Sequence, residues 1–245
     1  MKEQIISESL PKHIAVIMDG NGRWAKKKGA ARIFGHKNAI KAVRDVTEGC
    51  AELGVKFLTL YAFSTENWSR PKIEVNALME LLVSTLVSEM KTLMDNGIKL
   101  ATIGDTESLP AKCQRELAEA MAKTAQNDNM VLVLALSYSG RWDMTQATKA
   151  IAKDVASGTV NAENIDQDLI NKYLNTSGIP DPELLIRTSG EQRISNFMLW
   201  QMAYTEFYIT DTLWPDYRKK HLYEAIISYQ NRERRFGMTS EQLKS

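Results

Sequence analysis

The chain has 245 residues, 44% of them hydrophobic and 25% charged, which is typical of a globular protein that can build its own core. Lys plus Arg number 31 and Asp plus Glu 30, and this net charge of +1 argues against a general nucleic-acid binder. The longest apolar run, 130–136, is far shorter than the ~18 residues of a membrane span, and two cysteines without a CxxC pair fit a reducing cytoplasm, where we expect the protein to be located.

Strand-like and helix-like segments alternate along the whole sequence. Mostly continuous apolar runs, typical of strands buried on both faces of a parallel sheet, lie at 14–19, 57–63, 98–104, 130–137, 184–188 and 205–210. Helical patterns fall at 36–53, 74–95, 110–126, 141–155, 166–175, 195–203 and 218–234. This order predicts one α/β domain over 1–245, with a mostly parallel six-stranded sheet flanked by helices. We expect residues 1–12 and 238–245 to be frayed ends.

The segments that follow the predicted strands are rich in Arg, Asn, Ser, Gly and acidic residues. They are 19–24, 64–71, 104–106, 137–142 and 187–196. In open parallel sheets, ligands bind beyond the carboxyl ends of the strands. We therefore expect the functional face at that edge of the sheet.

The first of these segments, DGNGRW at 19–24, suits a diphosphate because two glycines allow a tight turn with bare N–H groups. Asp19 could hold a divalent cation that bridges the diphosphate. Residues 23–44 then carry eight Lys or Arg and no acid, with His36 as a further donor, although a solvated face remains an alternative for some of the lysines. A plain strand-to-helix turn is also possible.

The same loop reads G-x-G-x-x-A, so a dinucleotide-binding fold has to be considered. That motif requires an acidic residue about 20 positions on, at the end of the next strand. The second predicted strand ends near Phe63, about twice as far on. This disfavours a dinucleotide site, and no G-x-x-x-x-G-K-[ST] sequence is present.

A second basic cluster contains Arg187, Arg193 and Ser195, after the fifth predicted strand. Guanidinium groups bind phosphates with two hydrogen bonds, and a serine hydroxyl adds a donor. Two clusters on one face suggest two anionic ligands, and structural ion pairs are the alternative.

Helix 74–95 has apolar residues on more than one face, which is more than a single stripe against a sheet needs. It could be fully buried, form a dimer face, or line an apolar cavity. A binding site for an anionic head group beside such a cavity would suit an amphipathic ligand such as a lipid diphosphate.

At this point several motifs together resemble the cis-prenyltransferases, with the bacterial undecaprenyl diphosphate synthases as the most similar type. The motifs are HIAVIMDGNGRWAKKKG (13–29), GHKNAI (35–40), LTLYAFSTENWSRP (58–71), SYSGRWD (137–143), LLIRTSGEQRISNF (184–197), LWPD (213–216) and NRERRFG (231–237). They span nearly the whole chain, and no DDxxD of the trans-prenyltransferases is present.

The resemblance implies a magnesium-dependent homodimeric enzyme that condenses isopentenyl diphosphate with an allylic diphosphate such as farnesyl diphosphate. The product would be a long-chain polyprenyl diphosphate, undecaprenyl diphosphate being expected, and its tail would occupy an apolar tunnel between sheet and helices. Transient membrane contact would accompany its release. The alternative is a non-catalytic partner subunit or an isoprenoid-binding protein of the same fold.

The resemblance also assigns roles to individual residues. Asp19 would bind Mg²⁺, with Glu206 as a second metal-associated acid, and Asn67 would be catalytic. The allylic diphosphate would be bound by Gly20, Asn21, Gly22, Arg23, Trp24, Arg32 and His36. A loop over the substrates would contain Ser64, Thr65, Glu66, Asn67, Trp68 and Arg70. Isopentenyl diphosphate would be bound by Arg187, Arg193 and Ser195, and 235–237 would reach the partner subunit's site.

Three positions depart from the family pattern or from the strand-end rule. Gln192 stands where some relatives have histidine, and Ser137 replaces an asparagine. Glu206 lies at the start of the sixth predicted strand, so it can join the site only if the chain bends or the residue serves across the dimer. Met130, which opens the fourth strand, is expected near the floor of the tunnel.

Overall fold

The structure is a computed structural model that describes residues 1–242. Its strands are β1 (His13–Ile17), β2 (Phe57–Ser64), β3 (Ile98–Ile103), β4 (Met130–Tyr138), β5 (Leu184–Arg187) and β6 (Glu206–Ile209). They form one sheet of order β3-β4-β2-β1-β5-β6. Every neighbouring pair is parallel, so the predicted six-stranded sheet is confirmed and is wholly parallel in the described residues.

The α-helices are α1 (Asn21–Lys27), α2 (Arg32–Leu53), α3 (Lys72–Asp95), α4 (Ala111–Lys123), α5 (Gly140–Ala156), α6 (Gln167–Tyr173) and α7 (Lys219–Gln230). The sequence did not indicate α1, and α2 begins four residues before its predicted start. The predicted helix at 195–203 is wrong, because this segment forms turns. Ser195, Asn196 and Met198 there have φ values of 49°, 61° and 43°, which a right-handed helix does not allow.

Helices cover both faces of the sheet. Ile14 and Val16 of β1 belong to a hydrophobic cluster that includes buried residues of α2, α3, α4 and α7. The alternate residues Ala15 and Ile17 belong to a second cluster on the opposite face, with Phe197 of the 195–203 turns. Successive residues of a strand point to opposite faces of the sheet, and both faces are covered. The strands are therefore apolar throughout.

The first residues contact the body of the domain. Residues 2–4 and 7–9 form short 3-10 turns, and Ile5 and Leu10 pack against the core. The Ile6 N–H donates to Gln230 Oε1 at 3.2 Å, and Gln230 Nε2 donates to the Ile6 carbonyl at 2.7 Å. The frayed end expected at 1–12 stays a prediction, and these contacts are what fraying would have to break. Of the other expected frayed end, residues 243–245 lie outside the described residues.

The strand order places the topological switch point of the sheet between β1 and β5. The chain runs from β1 to β2 on one side and later returns to add β5 and β6 on the other. Ligands in such sheets bind at this switch point, outside the strand carboxyl ends. Asp19 and Arg187 lie there, because Ile17 of β1 is in register with Arg187 at the end of β5.

Candidate active site

Asp19 is held in an ionised form at the switch point. Arg187 Nη2 donates to Asp19 Oδ2 at 2.9 Å, and the Gly20 N–H donates to Asp19 Oδ1 at 2.7 Å. Burial by itself would raise the pKa of the Asp19 carboxyl. The Arg187 and Gly20 hydrogen bonds, together with the positive charges of Arg187 and Arg23, outweigh burial and lower the pKa below its ordinary value. The carboxylate is therefore charged at neutral pH and about one-third exposed.

Gly20 makes the close turn after β1 possible. Its φ is 104°, and a Cβ there would lie 2.8 Å from Leu213 Cδ2 and 3.0 Å from Ser189 Cβ. Both the backbone conformation and the space exclude a side chain. At Gly22 a Cβ would meet Arg32 Nε at 2.9 Å, so this glycine lets Arg32 lie against the loop.

Arg187 connects the two predicted anion sites. It is 3% exposed, and its Nη1 donates to Ser195 Oγ at 2.8 Å and also to the carbonyl of Arg193. The same guanidinium thus contacts Asp19 and fixes the 193–195 turn. Arg193 itself extends into solvent, where its guanidinium pairs with Glu191.

Arg32 and Arg70 meet at the N-terminal ends of α2 and α3. Both guanidinium groups contact the carboxylate of Glu74, at 3.7 Å and 3.1 Å. His36 lies beside them; burial, followed by the charges of Arg70 and Arg32, lowers its pKa to about 4. His36 is therefore neutral at physiological pH, and its buried Nε2 has no hydrogen-bond partner in the structure. These groups form a donor-rich pocket suited to an anion.

Within the segment 64–70, Thr65–Ser69 forms a short 3-10 turn beside the pocket. Asn67 Oδ1 accepts a hydrogen bond from the Ser64 N–H at 3.1 Å. Glu66 Oε1 accepts from Asn196 Nδ2 at 2.7 Å, which ties this segment to the 193–196 turn. Burial would raise the pKa of Glu66, but the Asn196 hydrogen bond helps to lower it below its ordinary value.

Two further contacts fix the same segment to β4 and to the loop after it. Thr65 Oγ1 donates to Ser139 Oγ at 2.9 Å, and Trp68 Nε1 donates to Ser137 Oγ, also at 2.9 Å. Ser137, the position that departs from the family pattern, has a φ of 49°. It supplies the hydroxyl that accepts from the tryptophan.

These groups surround the head of a cavity of about 770 Å³. Its polar lining consists mainly of predicted residues, namely Asp19, Asn21, Arg32, His36, Ser64, Glu66, Asn67, Arg70, Arg187, Arg193 and Ser195. Beyond them the lining is mostly apolar and comes from α2, α3 and the sheet, including Ala39, Ile40, Val43, Leu78, Leu82, Leu86, Leu100, Leu132 and Leu134. Of the alternatives for helix 74–95, the structure supports the cavity wall.

Some predicted residues lie outside this cavity lining. Trp24 Nε1 donates to Asp216 Oδ1 at 2.9 Å, and Arg23 contacts Glu191 and Ser189 beside the loop. Gly20, Gly22, Thr65 and Trp68 shape or anchor the lining without being part of it.

Glu206 is placed at the opposite edge of the sheet from Asp19. It is in register with Leu184 at the start of β5 and pairs with Arg232 at 2.9 Å. Within one chain it is therefore not part of the Asp19 site. The strand-end rule already indicated this position.

Met130 is fully buried and does not line the cavity. It lies on the same strand face as the lining residue Leu132, one pleat nearer the start of β4. Its expected place at the floor remains a prediction.

Sequence reasoning missed three residues that organise the site. Thr188 Oγ1 accepts from the Asp19 N–H at 2.9 Å and donates to the Asp19 carbonyl at 2.7 Å. Glu74 pairs with both Arg32 and Arg70. Only its contact with Arg70, four residues away on the chain, could have been inferred from the sequence. Asn196 joins two loops that are 130 residues apart.

The donor set of the site suits a divalent cation only together with a bound substrate. In the described part of the chain, no group of three or more His, Cys, Asp or Glu side chains could hold a metal ion. Mg²⁺, however, is commonly bound by one or two carboxylates together with substrate phosphates and waters. The ionised Asp19 beside an anion pocket fits that arrangement, and a cage made of protein ligands alone does not.

Comparison with known proteins settles the family. A family model described as putative undecaprenyl diphosphate synthase matches residues 17–237. The chain belongs to the undecaprenyl diphosphate synthase family of prenyltransferases. It is 55% identical over 236 residues to an isoprenyl transferase of Chlorobaculum tepidum, covering 96% of this chain and 89% of that protein.

Other members of the family agree along nearly the full length. A Vibrio vulnificus protein named ditrans,polycis-undecaprenyl-diphosphate synthase, (2E,6E)-farnesyl-diphosphate specific, is 52% identical over 242 residues, covering 99% of this chain and 96% of that one. The crystal structure of lavandulyl diphosphate synthase from Lavandula x intermedia, in complex with dimethylallyl diphosphate, superposes with a TM-score of 0.91 at 37% identity, covering 94% and 99%. The crystal structure of a probable undecaprenyl diphosphate synthase from Campylobacter jejuni superposes with a TM-score of 0.77 at 32% sequence identity. The match covers 93% of this chain and 98% of that one.

Between residues 1 and 242 of this protein, no helix is long and apolar enough to cross a bilayer.

Proposed function

We propose that this transferase extends an allylic diphosphate, farnesyl diphosphate being the expected starter, by repeated condensation with isopentenyl diphosphate. Each condensation forms a cis double bond, and the expected product is undecaprenyl diphosphate. The observation that carries this proposal is one cavity with a cationic, carboxylate-bearing head and a long apolar wall. Relatives that are 52% identical bear the name of this activity.

The family relationship favours the enzyme over a non-catalytic subunit, and so do the residues. Asp19, Arg32, His36, Arg70 and Arg187 are all present and line one cavity. A protein that only bound the isoprenoid tail would not need an ionised carboxylate held against a buried arginine.

The reaction breaks the allylic carbon–oxygen bond, forms a carbon–carbon bond to isopentenyl diphosphate, and releases one proton. Mg²⁺ held by Asp19 and the substrate phosphates would neutralise charge on the departing diphosphate. Arg32, Arg70 and the neutral His36 would hold that diphosphate by hydrogen bonds and, for the arginines, by charge.

The second substrate would be anchored by Arg193 and Ser195, with the buried Arg187 fixing the geometry of their turn. Two phosphate anchors on one face align the double bond of isopentenyl diphosphate with the allylic carbon, and such alignment lowers the barrier substantially.

Asn67 is a poor candidate for the proton acceptor because an amide is a weak base. Its oxygen already accepts a hydrogen bond from the Ser64 N–H, which leaves the amide N–H groups to face a ligand. We assign Asn67 a positioning role and assign the proton to an oxygen of a substrate phosphate.

A homodimer is part of the proposal. The edge strand β6 has one unpaired side, with Phe207 44% exposed and Ile209 39% exposed, and Tyr204 and Phe236 nearby are also exposed. Unprotected apolar edges favour pairing with another chain. Glu206 could act as a metal-associated acid only across such an interface. Residues 235–237 would reach the partner subunit's site across the same interface.

We also propose a cytoplasmic location, which two buried, unpaired cysteines support. Transient contact with a membrane would serve the release of a water-insoluble product.

The test is an incubation of the protein with farnesyl diphosphate, isotopically labelled isopentenyl diphosphate and Mg²⁺, followed by mass analysis of the products. We expect a series of polyprenyl diphosphates that ends at one dominant length. Omitting Mg²⁺, or substituting Asp19→Ala, should abolish it. Absence of any elongated product from the unmodified protein would refute the proposal.

A further inference from the structure

The cavity also carries polar groups far from its head, among apolar residues such as Leu86 and Leu93. Arg44 of α2 donates through Nη2 and Nε to the two carboxylate oxygens of Glu89 of α3, at 2.5 Å and 2.8 Å. Thr92 Oγ1 donates to the same carboxylate at 3.2 Å. Arg44, Glu89 and Thr92 all line the cavity, together with Thr47 of α2. We call these four residues the polar cap.

The polar cap lies well away from the reacting groups. Both α2 and α3 begin beside the strand carboxyl ends and run toward the opposite edge of the sheet. At about 1.5 Å per residue, Arg44 lies ~18 Å beyond Arg32 along α2, and Glu89 lies ~22 Å beyond Glu74 along α3. Between these two interhelical ion pairs the cavity wall is mostly apolar.

Two of the four residues of the polar cap, Glu89 and Thr47, are buried. Glu89 is 8% exposed, whereas the Arg44 side chain is about half exposed, so the guanidinium reaches from solvent to a buried carboxylate. Thr47 is 3% exposed, and its buried hydroxyl has no hydrogen-bond partner in the structure. A hydrocarbon chain that entered here would cover a carboxylate and hydroxyls and could hydrogen-bond to none of them.

We propose that the polar cap limits the length of the product by interrupting the apolar surface on which the growing tail is buried. Each added isoprene unit gains free energy while it covers apolar wall. At the cap that gain stops, because further growth must desolvate an ion pair and hydroxyls or separate α2 from α3. This inference rests on the proposed elongation activity and adds the residues that set its end point.

A limit set by polarity differs experimentally from one set by size. Thr47→Val replaces a hydroxyl with a methyl group of nearly the same volume, so a purely steric floor would leave the products unchanged. If polarity limits growth, the ratio of the next longer product to the parent's dominant product should rise roughly fivefold or more.

The larger change is the double variant Arg44→Met/Glu89→Leu, which removes both charges and keeps much of the side-chain bulk. We expect its dominant product to be longer by at least one isoprene unit. The matched control is Lys219→Met/Glu52→Leu, which removes an interhelical ion pair of 2.6 Å between α7 and α2 outside the cavity. Its product length should equal that of the parent.

The products are sized by mass spectrometry, and melting curves are recorded for every variant. A shift to longer products in Thr47→Val and the double variant, with none in the control, supports the proposal. Parental product lengths in a folded Thr47→Val protein overturn it, even if the double variant does not fold. If the unmodified protein makes no elongated product at all, the proposed function fails and this inference fails with it.

Discussion

Replacement of Asp19 by asparagine tests the central residue of the site with little change of shape. The Gly20 N–H can still donate to the side-chain oxygen, but the new amide N–H₂ would face Arg187 Nη2, donor against donor. One charge-assisted hydrogen bond of ~1.5–3 kcal/mol is lost. Because the carboxylate is about one-third exposed, we expect the lower part of that range to appear as lost stability, about 1–2 kcal/mol.

The expected effect on catalysis is much larger. A metal-held charge on a leaving group contributes several kcal/mol to transition-state stabilisation. A loss of ~4 kcal/mol corresponds to roughly a thousandfold lower rate, at 1.36 kcal/mol per factor of ten. Asp19→Asn should therefore fold, melt a few degrees lower and lose at least about a thousandfold in turnover.

The assay is single-turnover condensation of farnesyl diphosphate with labelled isopentenyl diphosphate, over a range of Mg²⁺ concentrations. Asp105→Asn is the matched control, because Asp105 also follows a strand and accepts from the Ser108 N–H outside the cavity. That variant should retain parental turnover, since Asn and Asp cap equally well. Turnover of a folded Asp19→Asn protein within tenfold of the parent would refute the assignment.

Three further predictions follow from the same geometry. Arg193→Ala should raise the KM for isopentenyl diphosphate, and Arg32→Ala should raise the dissociation constant of the allylic substrate, each roughly 10- to 150-fold. Titration of both substrates against both variants checks this, and effects of both variants on one and the same substrate would disprove the two-site placement. Burial lowers the pKa of His13 from 6.5 to about 4, so the unfolded chain binds the proton first as the pH falls. The free energy of unfolding should therefore decline between pH 6.5 and pH 4 by ~3 kcal/mol. Melting curves recorded against pH should show a shallower decline for His13→Gln, and the same pH dependence in both proteins would contradict the assignment. Met130→Ala should lengthen the products and Met130→Trp should shorten them if Met130 backs the cavity floor beneath Leu132, whereas a mere core role would lower the melting temperature and leave the product length unchanged.

Much of the fold could be predicted because burial on both faces gives the strands continuous apolar runs. The strand ends then indicated a candidate functional face, and most predicted binding residues line one cavity there. α1 was missed because its sequence, NGRWAKK, shows no apolar period and includes a glycine. The segment 195–203 looked helical by composition, yet positive φ values at Ser195, Asn196 and Met198 prevent a helix.

Contacts between distant segments could not be inferred from local patterns. Thr188 holds both backbone polar groups of Asp19, and the two residues are 169 positions apart. The Arg44–Glu89 pair joins two helices across 45 positions, and each residue by itself looks like an ordinary surface charge. Such pairings depend on how the helices lie over the sheet, which the period of a single helix does not contain.

The most direct measurement is a crystal structure of the protein with Mg²⁺ and a non-hydrolysable thio analogue of farnesyl diphosphate. We predict the diphosphate within hydrogen-bonding distance of Arg32 and His36, with the cation on Asp19. The farnesyl tail should lie between α2, α3 and the sheet, pointing toward the polar cap. A diphosphate bound away from Asp19, or a tail that leaves the cavity across the protein surface, would contradict the account.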